Sequence, residues 1–382
     1  MLLEVWQAIS PFIILVLGLL TSILMARKFG AKDKRSVILY LWHTFFTFVY
    51  YIYTLKFGAD ATVYYEQGLI GNYIFQPGTH FIRFIVMILT NYFYFNMIGC
   101  FLFFNILGAL GLIILDSIIH RTVSNQKKLL RIVATLVIFL PSISFWSSGI
   151  GKDPISFLSV VLALWSSLNL KNRLFPMSLS IMMMFFVRPH IAGILIISLA
   201  ISLFFDKKTN ALVKVLLASV TIGISSLLVP YALNYAGIQD SNTPEDIAEY
   251  IQGREDVYKS TDSGLTLSEM SFPMKLFTYM FRPTILEARS VTQIFSALDN
   301  ILLLYLFIAG GYRIIKNKNK NTTSLENRKF MWAYATIAWI ILALTTGNLG
   351  IAVRQKIMVL PFFLYLFISV MSKDKKFSDY YK

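Results

Sequence analysis

The sequence is poor in the residues that build disulfides, metal sites and nucleotide sites. Its single cysteine, Cys100, lies in an apolar run, which excludes a disulfide framework and a cysteine-based metal site. The four histidines are scattered and none belongs to an HExxH motif, so no metal is predicted. Neither a Walker A loop nor a GxGxxG motif is present, which argues against a nucleotide-driven engine, and no cofactor is predicted.

Charged residues are also scarce. They make up 14% of the 382 residues, against roughly 25% in soluble domains, while 56% of the chain is apolar. Several apolar runs are long enough to cross a bilayer. The composition therefore predicts an all-α polytopic membrane protein with a single transmembrane domain over residues 1–382.

The distribution of the cations explains the net charge of +15. About eleven transmembrane helices are expected, the first at about Ile9 to Met25 and the last at about Ile357 to Met371. With the N-terminus outside and the C-terminus in the cytoplasm, the inner loops hold most of the 35 lysines and arginines, as the positive-inside rule requires. No basic residue precedes Arg27, so the first segment is expected to be a retained helix and not a signal peptide. Topology accounts for the basic balance, and no nucleic-acid partner is predicted.

Three regions depart from a simple series of crossings. Leu69 to Phe95 is apolar but interrupted by polar residues, and is interpreted as a re-entrant or interfacial segment on the outer side. The fifth and sixth segments, joined by Leu170 to Arg173, have only about 16 residues each where a span needs about 20, which suggests a cavity around them. Residues 236–300 are expected to form one long outer loop.

The first outer loop, GADATVYYEQG, carries two carboxylates, Asp60 and Glu66. Either one has the chemistry of a general base toward a sugar hydroxyl, because such a base needs reach more than a long motif. The alternative is a solvated loop with two ordinary acids. His80 and Arg83 follow on the same side as candidate substrate ligands, and Arg83 could equally be an arginine that snorkels to the interface.

The stretch from Phe145 to His190 places charged residues at both ends of the short hairpin. FWSSGIGKDP contains Lys152 beside Asp153, and FVRPH contains Arg188 and His190. Ionisable residues at membrane depth are by default candidates for a functional site. For Asp153 the alternative is a pair with Lys152 or a cap of the following helix, and for Arg188 it is an interfacial anchor.

More cations occur near the C-terminus. Arg354 and Lys356 stand two residues apart in GNLGIAVRQKIMVLP, and arginine and lysine both bind phosphate oxygens, although both also serve as interfacial anchors. Arg282 lies in FPMKLFTYMFRP, which is typical of an amphipathic helix at the membrane surface. Cations gathered on the outer face of an apolar bundle suit an amphiphile with an anionic head, such as a lipid-linked diphosphate sugar.

The motifs GADATVYY, PSISFWSSGIGKDP, FVRPH, MFRP and GNLGIAVRQKIMVLP resemble those of bacterial Wzy-like and EpsG-like polysaccharide polymerases, whose layout is similar to that of GT-C glycosyltransferases. The resemblance implies a multi-pass enzyme of the bacterial inner membrane with its active face outward. By the same resemblance Asp60 would be the base, and the diphosphate ligands would be Lys152, Arg188, Arg282 and Arg354. A paired acidic motif is usual in GT-C enzymes, whereas Asp60 and Glu66 are six residues apart.

The reaction implied by this resemblance moves a growing glycan from undecaprenyl diphosphate to an incoming lipid-linked repeat unit. Its partners would be the lipid-linked oligosaccharide, membrane lipid and a chain-length regulator protein. Three alternatives remain open: a GT-C enzyme that adds one sugar from a lipid phosphate, a flippase of lipid-linked oligosaccharide, and an acyltransferase. The acyltransferase ranks lowest because the sequence shows no partner for His43.

Overall fold

The computed structural model describes residues 1–205, 270–316 and 326–372, together with positions 212, 219, 223 and 226. All regular structure in these ranges is helical, which confirms the predicted all-α class. Apart from those four positions, the expected eighth segment, about Ala211 to Tyr235, lies outside the described residues, as does the first part of the expected loop, residues 236–269. The α-helices, numbered here in chain order, are α1 Leu2–Phe29, α2 Asp33–Phe57, α3 Asp60–Ile70, α4 Thr79–Asn91, α5 Met97–Thr122, α6 Lys128–Ile138, α7 Pro141–Trp146, α8 Lys152–Ser167, α9 Leu174–Val187, α10 Pro189–Phe204, α11 Phe272–Phe281, α12 Val291–Lys316, α13 Arg328–Thr345, α14 Leu349–Gln355 and α15 Leu360–Met371.

Five helical stretches of the described chain are long and apolar enough to cross a membrane: α1, α2, α5, α6 with α7, and α12. A sixth candidate is the pair formed by α14 and α15, which is bent by 61°. The protein is therefore a helical membrane protein, but the eleven crossings are not confirmed. Helices α8, α9 and α10 have 16, 14 and 16 residues, and at 1.5 Å per residue each is shorter than a bilayer core of about 30 Å.

Helix α5 lies at the centre of the bundle. It packs against α1, α2 and α8, and nearly all of its side chains from Gly99 to Thr122 are buried or half-buried. A helix that is apolar on every face is expected in such a position. Helix α1, by contrast, keeps only one stripe of small and apolar residues buried, so it lies at the periphery.

The segment predicted to be re-entrant, Leu69 to Phe95, contains α4, which forms a helical hairpin with α3. Helix α4 packs against α3 and also contacts α9, and the backbone N–H of Gly78 donates to the carbonyl of Phe186 at 2.7 Å. With 13 residues α4 is too short to cross the bilayer core. Its length fits a segment that enters the membrane region without traversing it.

The end of the expected outer loop is helical. Helix α12 begins at Val291, so Asp299 and Asn300 lie within a helix and are buried. Helix α11, expected at the membrane surface, is only half exposed, because Tyr279 and Met280 are completely buried against the bundle. The predicted loop therefore contributes a packed wall to the bundle from residue 270 onward.

Candidate functional site

Four charged side chains from four separate parts of the chain meet at one end of the bundle. Asp153 accepts a hydrogen bond from Nη2 of Arg188 at 2.6 Å on one carboxylate oxygen and from Nε of Arg354 on the other. Nη1 of Arg354 also donates to Asp60 at 2.7 Å. We call Asp60, Asp153, Arg188 and Arg354 the ionic cluster; it forms a chain that alternates in sign and sums to zero charge.

The Arg188–Asp153 end of this chain is buried, and the Asp60 end is exposed. The side chain of Asp153 is 4% exposed, that of Arg188 11%, that of Arg354 21% and that of Asp60 54%. The buried end is therefore held firmly, since its ions have no access to bulk water. The Asp60 end is open to solvent, where an ion pair contributes little to stability.

Both carboxylates stand in the first turn of a helix. Asp60 is the first residue of α3, after Gly58 has ended α2 with a φ of 69°, and Asp153 is the second residue of α8. The positive end of the helix dipole favours an acid at each position. The predicted cap at Asp153 is not formed, because Gly151 is the residue that precedes α8 and no side chain caps it.

Arg188 owes its position to the proline that follows it. A residue before proline is disfavoured in the α conformation, and Arg188 has φ −146° and ψ 78° between α9 and α10. Pro189 then begins α10, which is a favoured position for proline. The resulting break turns the guanidinium toward Asp153. Its Nε–H is buried and has no acceptor among the described residues, although nearly all buried polar groups are paired.

A series of buried, hydrogen-bonded side chains fixes the 147–151 loop, which leads to Asp153. His43 of α2 bonds through Nδ1 to Oδ1 of Asn105 at 2.5 Å and through Nε2 to Oγ of Ser147 at 2.9 Å. Asn105 in turn donates to Oγ1 of Thr44 at 2.9 Å. These side chains are almost fully buried, so they tie α2, α5 and the 147–151 loop together in a fixed arrangement.

Two glycines allow that arrangement to close. A β-carbon at Gly108 would lie 2.0 Å from the carbonyl oxygen of Ser147, and one at Gly149 would lie 2.1 Å from the ring of Tyr50. Only glycine admits such close approaches. Tyr50 itself packs against Trp146 at 5.9 Å between ring centroids, so the loop and the end of α2 form one packed unit.

A cavity of about 710 Å³ lies beside the ionic cluster. Trp146 connects the two, since it lines the cavity and its ring lies 5.9 Å from the guanidinium of Arg354. Its lining combines aromatic and polar side chains, which suits a sugar ring with its apolar faces and polar edges. The aromatic cavity, as we call it, is lined among others by Tyr53, Phe145, Trp146, Ser142, Gln293, Ser296 and Asn348.

Lys356 and Arg282, predicted as diphosphate ligands, point away from the ionic cluster. Nζ of Lys356 donates to Oδ1 of Asn300 at 2.7 Å, and this lysine is buried where the α14–α15 pair bends. Arg282 lines the aromatic cavity and pairs with Glu287, whose pKa it lowers to about 2. Arg354 and Lys356 therefore lie on different faces although they are two residues apart, because a helix turns by about 200° over two residues.

The other predicted site residues lie at varying distances from the cluster. Lys152 and His190 are half-buried beside it, and both Lys152 and Arg188 act electrostatically on the His190 ring. Glu66 and His80 are exposed, and neither forms an ion pair within the described residues. Arg83 lies over the ring of Tyr73 at 5.8 Å. The structure therefore groups Asp60, Arg188 and Arg354 around Asp153, for which the sequence leaves a helix cap or a pair with Lys152 as the alternative.

His43, for which the sequence shows no partner, has two. A serine, a histidine and an asparagine in hydrogen-bonded order resemble a nucleophile, a base and its orienting group. All three are fully buried, and none of them lines the aromatic cavity. Their packing leaves no place for a substrate carbonyl at Ser147, so the geometry is that of a structural tie and does not favour an acyltransferase.

Among the described residues no group of three or more histidine, cysteine or acidic side chains is arranged to hold a metal ion. No family model, curated protein or solved structure matches the chain.

Proposed function

We propose that this protein is a bacterial inner-membrane glycosyltransferase that polymerises a surface polysaccharide. Its donor would be a glycan on undecaprenyl diphosphate, and its acceptor the hydroxyl of a second lipid-linked repeat unit. The observation that carries the proposal is the convergence of Arg188 and Arg354 on one buried carboxylate, beside a cavity lined in part by aromatic residues.

Two arginines in this arrangement suit a diphosphate. Arginine presents a planar fork of donors that matches phosphate oxygens, and the buried Nε–H of Arg188 still lacks an acceptor in the described chain. Asp153 keeps both guanidinium groups oriented before a ligand arrives. Fixed donors of this kind stabilise charge that develops on a leaving group without reorganisation at the moment of reaction.

The reaction would run as a displacement at the anomeric carbon of the donor. The acceptor hydroxyl oxygen forms a bond to that carbon, and the bond from the carbon to the diphosphate oxygen breaks. The diphosphate leaves with the bonding electron pair and is stabilised by Arg188 and Arg354. The hydroxyl proton passes to the carboxylate of Asp60, and the aromatic cavity holds sugar rings of one substrate.

The proposed topology places the ionic cluster on the outer face. Helix α2 is about 37 Å long at 1.5 Å per residue, so Arg35 near its start and Asp60 just beyond its end lie at opposite ends of the bundle. The start of α2 lies within the basic run ARKFGAKDKR, which the positive-inside rule assigns to the cytoplasm. An N-terminus outside and a C-terminus inside are consistent with that assignment.

The test is to exchange the gene for Arg188→Ala and Arg354→Ala variants in a strain that carries it. Long-chain polysaccharide should disappear, and a single lipid-linked repeat unit should remain on the outer leaflet, as read from a glycan gel and leaflet labelling. Arg83→Ala is the matched control, because it removes an arginine outside the cluster and should leave chain length unchanged. Protein levels are compared by immunoblot.

Because an alanine variant can fail to fold, Arg188→Lys and Arg354→Lys accompany it. Each keeps the charge beside Asp153 but loses the fork, so polymer should be reduced while the protein accumulates normally. Wild-type chain length in both alanine variants would contradict the site. A repeat unit that accumulates on the cytoplasmic leaflet would identify a flippase, and a repeat unit one sugar short would identify a single-sugar GT-C enzyme.

A further inference from the structure

The most exposed member of the ionic cluster occupies the place that a ligand would take. Nη1 of Arg354 is aimed at the open end of the chain of charges, and its acceptor there is the half-exposed carboxylate of Asp60. The other donor used by Arg354, Nε, binds Asp153 in the interior. Arg354 therefore has one permanent partner and one partner within reach of water.

Charge limits what this closed arrangement can bind. Two aspartates neutralise two arginines, so an anion that approaches the cluster meets no net positive charge from it. A diphosphate carries at least two negative charges. The donor through which it can compete at the exposed end is Nη1, since Nε is bound by Asp153 in the interior.

Asp60 is the partner that can leave. Its side chain is 54% exposed against 4% for Asp153, and an exposed ion pair is worth only about 0.2–1 kcal/mol. Asp153 is held by two arginines, and its withdrawal would leave the buried charge of Arg188 without its counter-ion. The exchange therefore has a definite direction: the ligand replaces Asp60 and leaves Asp153 in place.

We propose that the diphosphate of the lipid-linked donor displaces Asp60 from Arg354, so that donor binding itself frees the carboxylate that accepts the acceptor's proton. This inference rests on the proposed function. Before the donor arrives, Asp60 is held as the counter-ion of Arg354. After the exchange the phosphate oxygens take that cation, and Asp60 at the start of α3 is free to face the acceptor hydroxyl.

The test measures binding of farnesyl diphosphate, a short lipid diphosphate, to the purified full-length protein in detergent at low salt. Asp60→Asn should bind it about 2- to 5-fold more tightly than the wild type, the factor that corresponds to about 0.4–1 kcal/mol for loss of a competing exposed ion pair. Glu66→Gln is the matched control, since it removes the same charge from the same helix but no partner of Arg354. Asp60→Glu restores a competing carboxylate and should return the affinity toward the wild-type value.

The outcomes separate the two proposals. If the wild type binds farnesyl diphosphate no better than farnesol, the diphosphate site and the proposed function both fail. If the wild type binds it but Asp60→Asn binds with equal or lower affinity, only the exchange fails. Tightening in Glu66→Gln equal to that in Asp60→Asn would assign the effect to net charge and would also overturn the exchange. Raising the salt concentration should shrink the gain in Asp60→Asn, because exposed charges are screened.

Discussion

Asp116 and Asp153 are both buried carboxylates held by arginine, at opposite ends of the bundle, and they are built differently. Arg35 donates to Asp116 through Nε at 2.7 Å and through Nη2 at 2.7 Å, so the pair is closed and each carboxylate oxygen is used. Asp153 is shared by two arginines, one of which reaches onward to a half-exposed partner. The Arg35–Asp116 pair leaves no carboxylate oxygen unused and ties α2 to α5. The Asp153 arrangement instead ends at Nη1 of Arg354 and its half-exposed partner Asp60, the contact that a ligand takes over in the proposed exchange.

The largest expected effect comes from neutralising Asp153, and the same change at Asp116 is its comparison. Asp153→Asn should destabilise the protein by about 3–5 kcal/mol and abolish polymerisation, because it leaves two arginines without their common counter-ion. Asp116→Asn should cost about 1–3 kcal/mol and leave the activity of the folded protein unchanged, since Arg35 is partly exposed and rests against the Phe139 ring at 5.8 Å. Thermal unfolding in detergent and glycan chain length measure the two effects.

The difference drawn between the two carboxylates is wrong if the Asp153→Asn variant polymerises as well as the Asp116→Asn variant at equal protein levels. Asp153 would then be a structural ion pair like Asp116, and the open chain would carry no function.

An intermediate effect is expected at Lys356, which the sequence groups with Arg354. Lys356→Met should destabilise the protein by about 1–3 kcal/mol, because Oδ1 of Asn300 loses its buried donor. Polymer length should be kept in the protein that folds, whereas Arg354→Met should lose it. Loss of polymer in folded Lys356→Met would extend the functional site to the bend between α14 and α15.

The smallest effect is expected at the exposed residues of the same side. Glu66→Gln and His80→Ala should each change stability by less than about 0.5 kcal/mol and leave chain length as in the wild type, since surface substitutions without buried partners rarely do more. A shortened polymer in Glu66→Gln would move the general base from Asp60 to Glu66. Gel analysis of the polysaccharide, with the wild type run alongside, decides between the two acids.

Local chemistry made part of the site visible in advance. The break at Arg188 follows from Pro189, and the placement of an acid after Gly58 follows from the end of α2, so both residues could be selected from the sequence. Asp153 was passed over because an acid before proline at a helix start has an ordinary explanation as a cap. The signal that marked it was weak: a Lys-Asp-Pro run bounded by apolar residues.

Contacts between distant segments were not visible. Arg354 meets Asp153 across 201 residues and Asp60 across 294, and no spacing rule connects such positions. The same holds for His43, whose partners Asn105 and Ser147 come from two other parts of the chain. Closeness in sequence was also a poor guide to function. Arg354 and Lys356 were expected to act together, but they lie in different surroundings.

The sequence by itself determined that this is a helical membrane protein, because apolar runs and scarce charge leave a chain no other stable arrangement in a bilayer. It also indicated two of the helix ends at the site, at Gly58 and before Pro189, since glycine and proline act on the backbone within a few residues. Which charges face one another was decided only by the tertiary structure. An ion buried in an apolar bundle must find its counter-ion wherever packing brings one, and packing depends on the whole set of helices at once.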